Sequence, residues 1–226
     1  MTDNPDSFDD LEADLEADAT EPDLLIIGTG IYVYSQSARR WVNVSMGQFV
    51  PDITVINEMR RHVAATFDIL DNLTSQLYRG QITLGQWQIA VASELKDAHL
   101  AQSMFAVGGK QNMSAVEFGR VGGTLADEYR HLSQFADDIA AGRVSAAQAQ
   151  ARIQQYGKAA QQSFWREYSL TRPGLINWVL HPADHCPDCV DLAAGSPYTA
   201  ATLPTHPGAG ETVCRGNCNC TLEDVA

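Results

Sequence analysis

The chain has 226 residues, 45% hydrophobic and 19% charged, with 15 basic against 28 acidic side chains and a formal net charge of -13. That is material for one large domain or two small ones, and at this size about 70% of the unfolded surface can be buried, which excludes a purely disordered protein. Ten of the acids fall within residues 1–23, where no Lys or Arg occurs, so the remainder carries 18 acids against 15 bases. No basic cluster exceeds the pairs Arg39/Arg40 and Arg60/Arg61, so sequence-specific nucleic-acid binding is not expected. The longest apolar run, Leu24 to Tyr34, is far too short to span a bilayer, and the residues before it are acidic where a secretory signal would be basic. A reducing cytosol is the expected setting, in which an odd set of five cysteines points to metal or free thiols rather than disulfides.

Residues 1–23 read as a solvated acidic tail, because Leu11 and Leu15 are the only aliphatic side chains larger than Ala among dense like charge. Residues 24–50 read as an extended or hairpin segment. Gly28-Thr29-Gly30 lacks the third glycine of a dinucleotide loop, and no alternation of strand and helix follows it.

From Pro51 the apolar period becomes helical. Ile56, Met59, Val63, Phe67, Leu70, Leu73 and Leu77 form one stripe that stops at Gly80. Thr83 can cap a second helix with the stripe Trp87, Val91, Leu95, Ala98, Gln102 and Phe105, ended by Gly108-Gly109. Ser114 and Glu117 have capping-box spacing and open a third helix through Val121, Leu125, Tyr129, Leu132, Phe135 and Ile139. Gly122-Gly123 inside it permits close backbone approach or a bend. Ser145 caps a fourth helix, through Ile153, Tyr156, Ala160, Phe164 and Tyr168, which must end before Pro173. The expected fold is therefore mainly α: an antiparallel bundle of about four long helices over 51–173. A small irregular or β, cysteine-rich, zinc-knuckle-like module over 174–226 follows it.

That module holds all five cysteines. Cys186-Pro187-Asp188-Cys189 is followed after 24 residues by Cys214-Arg215-Gly216-Asn217-Cys218-Asn219-Cys220. Two thiolates spaced by two residues can bite one tetrahedral ion, and a second cluster completes the coordination from across the loop; zinc is the natural candidate. Cys186 and Cys189 would supply one half and two of Cys214, Cys218 and Cys220 the other, with His185 and His206 as possible substitutes. Such a structural site is worth about 10 kcal/mol of folding free energy, enough to hold a stretch poor in aliphatic residues. A redox reading of Cys-Pro-Asp-Cys lacks the strand-helix-strand unit it needs, and a zinc deaminase lacks its His-x-Glu. Glu128 and His131 have the spacing of a di-iron ligand pair, but no second Glu-x-x-His accompanies them, so a helix-face hydrogen bond or solvated pair is the default. No Gly-x-Ser-x-Gly or Walker loop occurs.

The run His185-Cys186-Pro187-Asp188-Cys189 with Leu192-Ala193, then Leu203-Pro204, Pro207-Gly208-x-Gly210-x-Thr212-x-Cys214 and Asn217-Cys218-x-Cys220, resembles the C-terminal signature of minor head proteins of tailed bacteriophages, the Mu F-like head-morphogenesis family. Upstream, Gly47-x-Phe49-Val50, Trp87, Lys96-x-x-His99-Leu100, Gly108-Gly109 and Gly119-Arg120-Val121-Gly122-Gly123-x-Leu125 agree with it, so the similarity spans roughly residues 40–222. The resemblance implies a virion component in few copies, at the inner capsid or portal vertex, present in host cytoplasm during assembly. It implies binding to portal and/or major capsid protein, oligomeric in the virion, with no enzymatic activity. The alternative is a metalloenzyme or redox protein using the C-terminal cysteine cluster.

Overall fold

The computed structural model describes residues 26–27, 30–35, 38 and 40–225; the acidic segment 1–23 and Gly28-Thr29 lie outside the described residues. The chain is mainly helical, with a few short strands. Strands β1 (Ile26–Ile27), β2 (Gly30–Ser35), β3 (Arg40–Asn43) and β4 (Gln48–Val50) form one antiparallel sheet in chain order. Ile27 pairs with Gly30, the register of a hairpin and not of a strand entering a nucleotide-binding helix. Four long helices follow: α1 (Asp52–Tyr78), α2 (Leu84–Val107), α3 (Ala115–Ala140) and α4 (Ala146–Thr171). The last segment contains β5 (Ile176–Val179), the short helix α5 (Pro187–Ala194) and β6 (Thr221–Asp224), with β5 and β6 paired antiparallel.

Three of the four long helices start where side chains satisfy the free amides of the first turn. Thr83, Ser114 and Ser145 each accept a hydrogen bond from the first turn, while Gln86, Glu117 and Gln148 reach back to the cap amide. The stripes then face inward: Trp87, Val91, Leu95, Ala98, Gln102 and Phe105 of α2 are all buried. Cross-helix pairs set the directions. Gln150 donates to Ser75 and Tyr168 to Asp52, so α1 and α4 run antiparallel; Trp87 meets Phe135, and Tyr129 donates to the Ala92 carbonyl, so α2 and α3 do too. α2 and α4 lie parallel and in contact, as the diagonal of the bundle. α3 leans on α2 and leaves an open groove of about 650 Å³ against α4, lined in part by Arg120, Thr124, Glu128, His131 and Arg166.

Polar groups pin this arrangement from inside. His99 on α2 is fully buried; its Nδ1 lies 2.7 Å from Ser163 Oγ on α4 and its Nε2 3.0 Å from Glu128 Oε2 on α3. Ser, His and Glu are a nucleophile-base-orienter set in type, but Ser163 is 1% exposed and cannot be reached by substrate. The set is a three-helix clasp, and its members stay satisfied only while all three helices are in place. Glu128 thus spends its carboxylate on α2 rather than on His131. Nearby, Arg120 of α3 donates through Nε to the buried Glu167 of α4 at 2.9 Å.

Two apolar cores result. One fills the α2/α3 end with Leu70, Trp87, Val91, Leu95, Phe135 and Ile153. The other joins the N-terminal sheet, α1, α4 and the cysteine-rich segment: Trp41, Met59, Trp165, Tyr168, Trp178, Leu222, Cys189 and Cys220 belong to one cluster. Residues 174–225 are therefore stitched onto the bundle through a shared core. The sheet is fastened by the Arg172 guanidinium, which lies 3.5 Å from the Tyr34 ring centre and 4.7 Å from that of Tyr168.

Glycine has different meanings along the helices. A Cβ added at Gly157 of α4 would come within 2.5 Å of the Phe67 ring on α1, whereas at Gly122 or Gly123 it would meet nothing within 4 Å. Gly157 is what lets α1 approach α4. Gly157→Ala should destabilise the protein by about 1–3 kcal/mol, while Gly122→Ala, on an exposed helix face, should stabilise it by roughly 0.5–1 kcal/mol. Urea unfolding of the two variants checks the contrast.

Candidate metal centre

The turn that opens α5 begins the site. Cys186 is its N-cap, Pro187 occupies the first helical position, and the Cys189 amide donates to the Cys186 carbonyl at 3.1 Å, closing the Cys-x-x-Cys turn. Asp188 Oδ2 accepts from the Val213 amide at 2.8 Å and brings in the second cysteine segment. There two consecutive turns, Arg215 N to Thr212 O at 2.8 Å and Asn217 N to Cys214 O at 3.0 Å, present Cys214 and Cys218. Arg215 takes a positive φ of 50° to make this possible, and the turn rests on α4, where Lys158 bonds Asn217. The register Val179 to Thr221 places Cys220 beside the chain leaving β5.

All five sulfurs converge. Cys186, Cys189 and Cys214 form one group and Cys189, Cys218 and Cys220 a second, with the ligand atoms of each group within 4.8 Å of one another. Cys189 Sγ is 3.6 Å from both Cys214 Sγ and Cys218 Sγ. No pair is bonded, since all five are free thiols. A tetrahedral ion with metal–sulfur arms of about 2.3 Å requires sulfur–sulfur edges of about 3.8 Å, close to what is found. Among the described residues, these two thiol groups are where three or more potential ligands gather. Cys189, Cys218 and Cys220 are buried, Cys186 and Cys214 half-buried.

The possible substitutes separate. His185 Nδ1 is 3.6 Å from Cys220 Sγ, adjacent to the cluster, whereas His206 bonds Ser169 on α4 at 3.0 Å and joins neither group. Glu128 and His131, on the α3/α4 groove, likewise join no ligand group. The His99–Glu128–Ser163 clasp was not foreseeable from spacing, since its partners are 29 and 64 residues apart; the one available signal is three polar residues on inward-facing registers.

The electrostatics fit a site meant for a cation. Burial and the neighbouring Cys186 thiol push Cys189 well above the ordinary thiol range, and the Cys220 thiol and burial do the same to Cys218. Burial raises Cys214, against the Thr212 hydroxyl that lowers it. At Cys186 burial also raises, but the amides of Cys189 and Cys214, pointing at the sulfur, outweigh it and hold the thiol below its usual value. Backbone amides aimed at a sulfur favour the thiolate, and a divalent ion would remove the penalty on the others. The donor set suits a soft, tetrahedral, thiolate-loving metal.

Among the described residues no helix is long and apolar enough to cross a membrane. Comparison with known protein families, with curated proteins and with solved structures finds no match to this chain.

Because Cys189, Cys214 and Cys218 are shifted upward, the metal-free protein keeps these protons at neutral pH and binding must displace them. Metal affinity should therefore rise with pH from 6 to 8, by about tenfold or more per pH unit for each proton released per ion. A competition titration against a chromogenic chelator measures this. A flat profile would mean the thiols are not the ligands.

Proposed function

We propose that this chain is a minor head protein of the tailed-phage type, acting in head assembly by binding portal and/or major capsid subunits, with zinc as a structural ion in its C-terminal segment. The observation that carries the reading is that the residues of the phage-like signature are those whose side chains and backbone gather the buried sulfur cluster. Cys186, Cys189, Cys214, Cys218 and Cys220 converge, Asp188 ties the two halves together, and the Thr212 hydroxyl lies 3.2 Å from Cys214 Sγ. Upstream signature residues also hold the frame. Trp87 and His99 are wholly buried, Arg120 pairs with Glu167, and Gly108 sits at φ 87° where a Cβ would strike Tyr34. Residues used in this way build a rigid docking body rather than a reaction centre.

The competing reading, a metalloenzyme or redox protein, needs a metal or thiol open to substrate. Cys189, Cys218 and Cys220 are at most 5% exposed, which favours a closed structural site. Apolar side chains do face outward from the pinned segment: Val213 is 71% and Val190 47% exposed, and they give it a surface for a protein partner.

Co-expression with the portal and major capsid proteins of its own phage tests the reading. The chain should co-sediment with procapsids or portal rings, and Val213→Asp should reduce its incorporation several-fold while leaving its metal content and unfolding curve unchanged. Recovery of the wild-type chain only as free protein would contradict the proposal.

A further inference from the structure

The cluster offers more ligands than one ion can use. Five Sγ atoms and the Nδ1 of His185 stand together, and a tetrahedral ion takes four. The sulfurs are not evenly spread. They fall into two triads that meet at Cys189, whose 3.6 Å edge to Cys214 belongs to the first and whose 3.6 Å edge to Cys218 belongs to the second.

His185 is oriented for ligation by its second nitrogen. Nε2 lies 2.5 Å from the His181 carbonyl, and a carbonyl can only accept, so Nε2 carries the proton. In the neutral ring the lone pair is then on Nδ1, the atom 3.6 Å from Cys220 Sγ. A ring N–H donated to a backbone carbonyl is how metal-binding histidines are ordinarily held.

Charge gives an independent reason. Four thiolates around one divalent ion leave a formal charge of about -2 in a buried place, and five around two ions about -1; the interior favours the smaller value.

We infer that the cluster is a two-metal thiolate site, one ion to each triad, joined at Cys189. The first ion takes Cys186, Cys189 and Cys214. The second takes Cys189, Cys218, Cys220 and His185. Cys189 bridges, and every sulfur of the segment is used. This rests on reading the cluster as a metal site, and it assigns roles that the spacing of the cysteines left open.

Native mass spectrometry of the full chain purified without chelator should show two zinc ions per molecule. Cys220→Ser and His185→Ala should each halve the bound metal while the first ion stays. Cobalt replacement gives a second readout: the thiolate bridge couples the two spins, so the paramagnetic signal per cobalt at saturation should be several-fold weaker in the wild type than in Cys220→Ser. Saturation at one ion, with both variants unchanged in metal content, would overturn the two-ion site while leaving a one-ion site standing. A folded wild-type chain that binds no zinc or cobalt would overturn both.

Discussion

The constraint on which the rest depends is the convergence of five thiols in one small, mostly buried volume. Residues 174–225 contribute few large apolar side chains to the core, chiefly Ile176, Trp178, Leu203 and Leu222. Closing so irregular a segment costs backbone entropy of about 1–2 kcal/mol per residue. A structural ion worth about 10 kcal/mol is comparable with the whole net stability of an ordinary domain. An ion held by the sulfur cluster would do for this segment what an aliphatic core does elsewhere, and because the cluster lies in contact with α4 its contribution would reach the bundle.

The bundle in turn supplies a fixed surface for the cluster. α2 and α4 form its diagonal, α1 is drawn close by Gly157, and α3 is held by the His99 clasp and the Arg120–Glu167 pair. The turn carrying Cys214 and Cys218 lies against α4 so closely that a Cβ at Gly216 would come within 3.1 Å of Lys158. Sulfur geometry, helix packing and the N-terminal sheet are thus linked through one shared core containing Trp41, Tyr168 and Cys220.

Much of this was legible from local chemistry. Thr83, Ser114 and Ser145 mark helix starts because their hydroxyls can accept from first-turn amides, and all three do so. The α2 stripe was readable down to Gln102, and the Cys-x-x-Cys spacing marked a turn whose two sulfurs join the cluster. What could not be read is what lies between elements. Glu128 and His131 share a helix face by spacing, yet the crossing of α2 gives Glu128 to His99. His185 and His206 look equivalent along the chain, but the loop after β5 brings one to Cys220 while Ser169 holds the other. The cysteines too are chemically alike in sequence; only the fold makes Cys189 the hub of two triads.

Hydrogen–deuterium exchange on the metal-loaded and chelator-treated protein tests the central claim most directly. If sulfur–metal bonds hold the last segment shut, stripping the ion should release protection across β5, α5 and β6 by several orders of magnitude, while the amides of α2 and α4 around Leu95 and Ile153 stay protected. Equal, strong protection of residues 174–225 with and without metal would contradict the account, because the segment would then be holding itself together by packing alone.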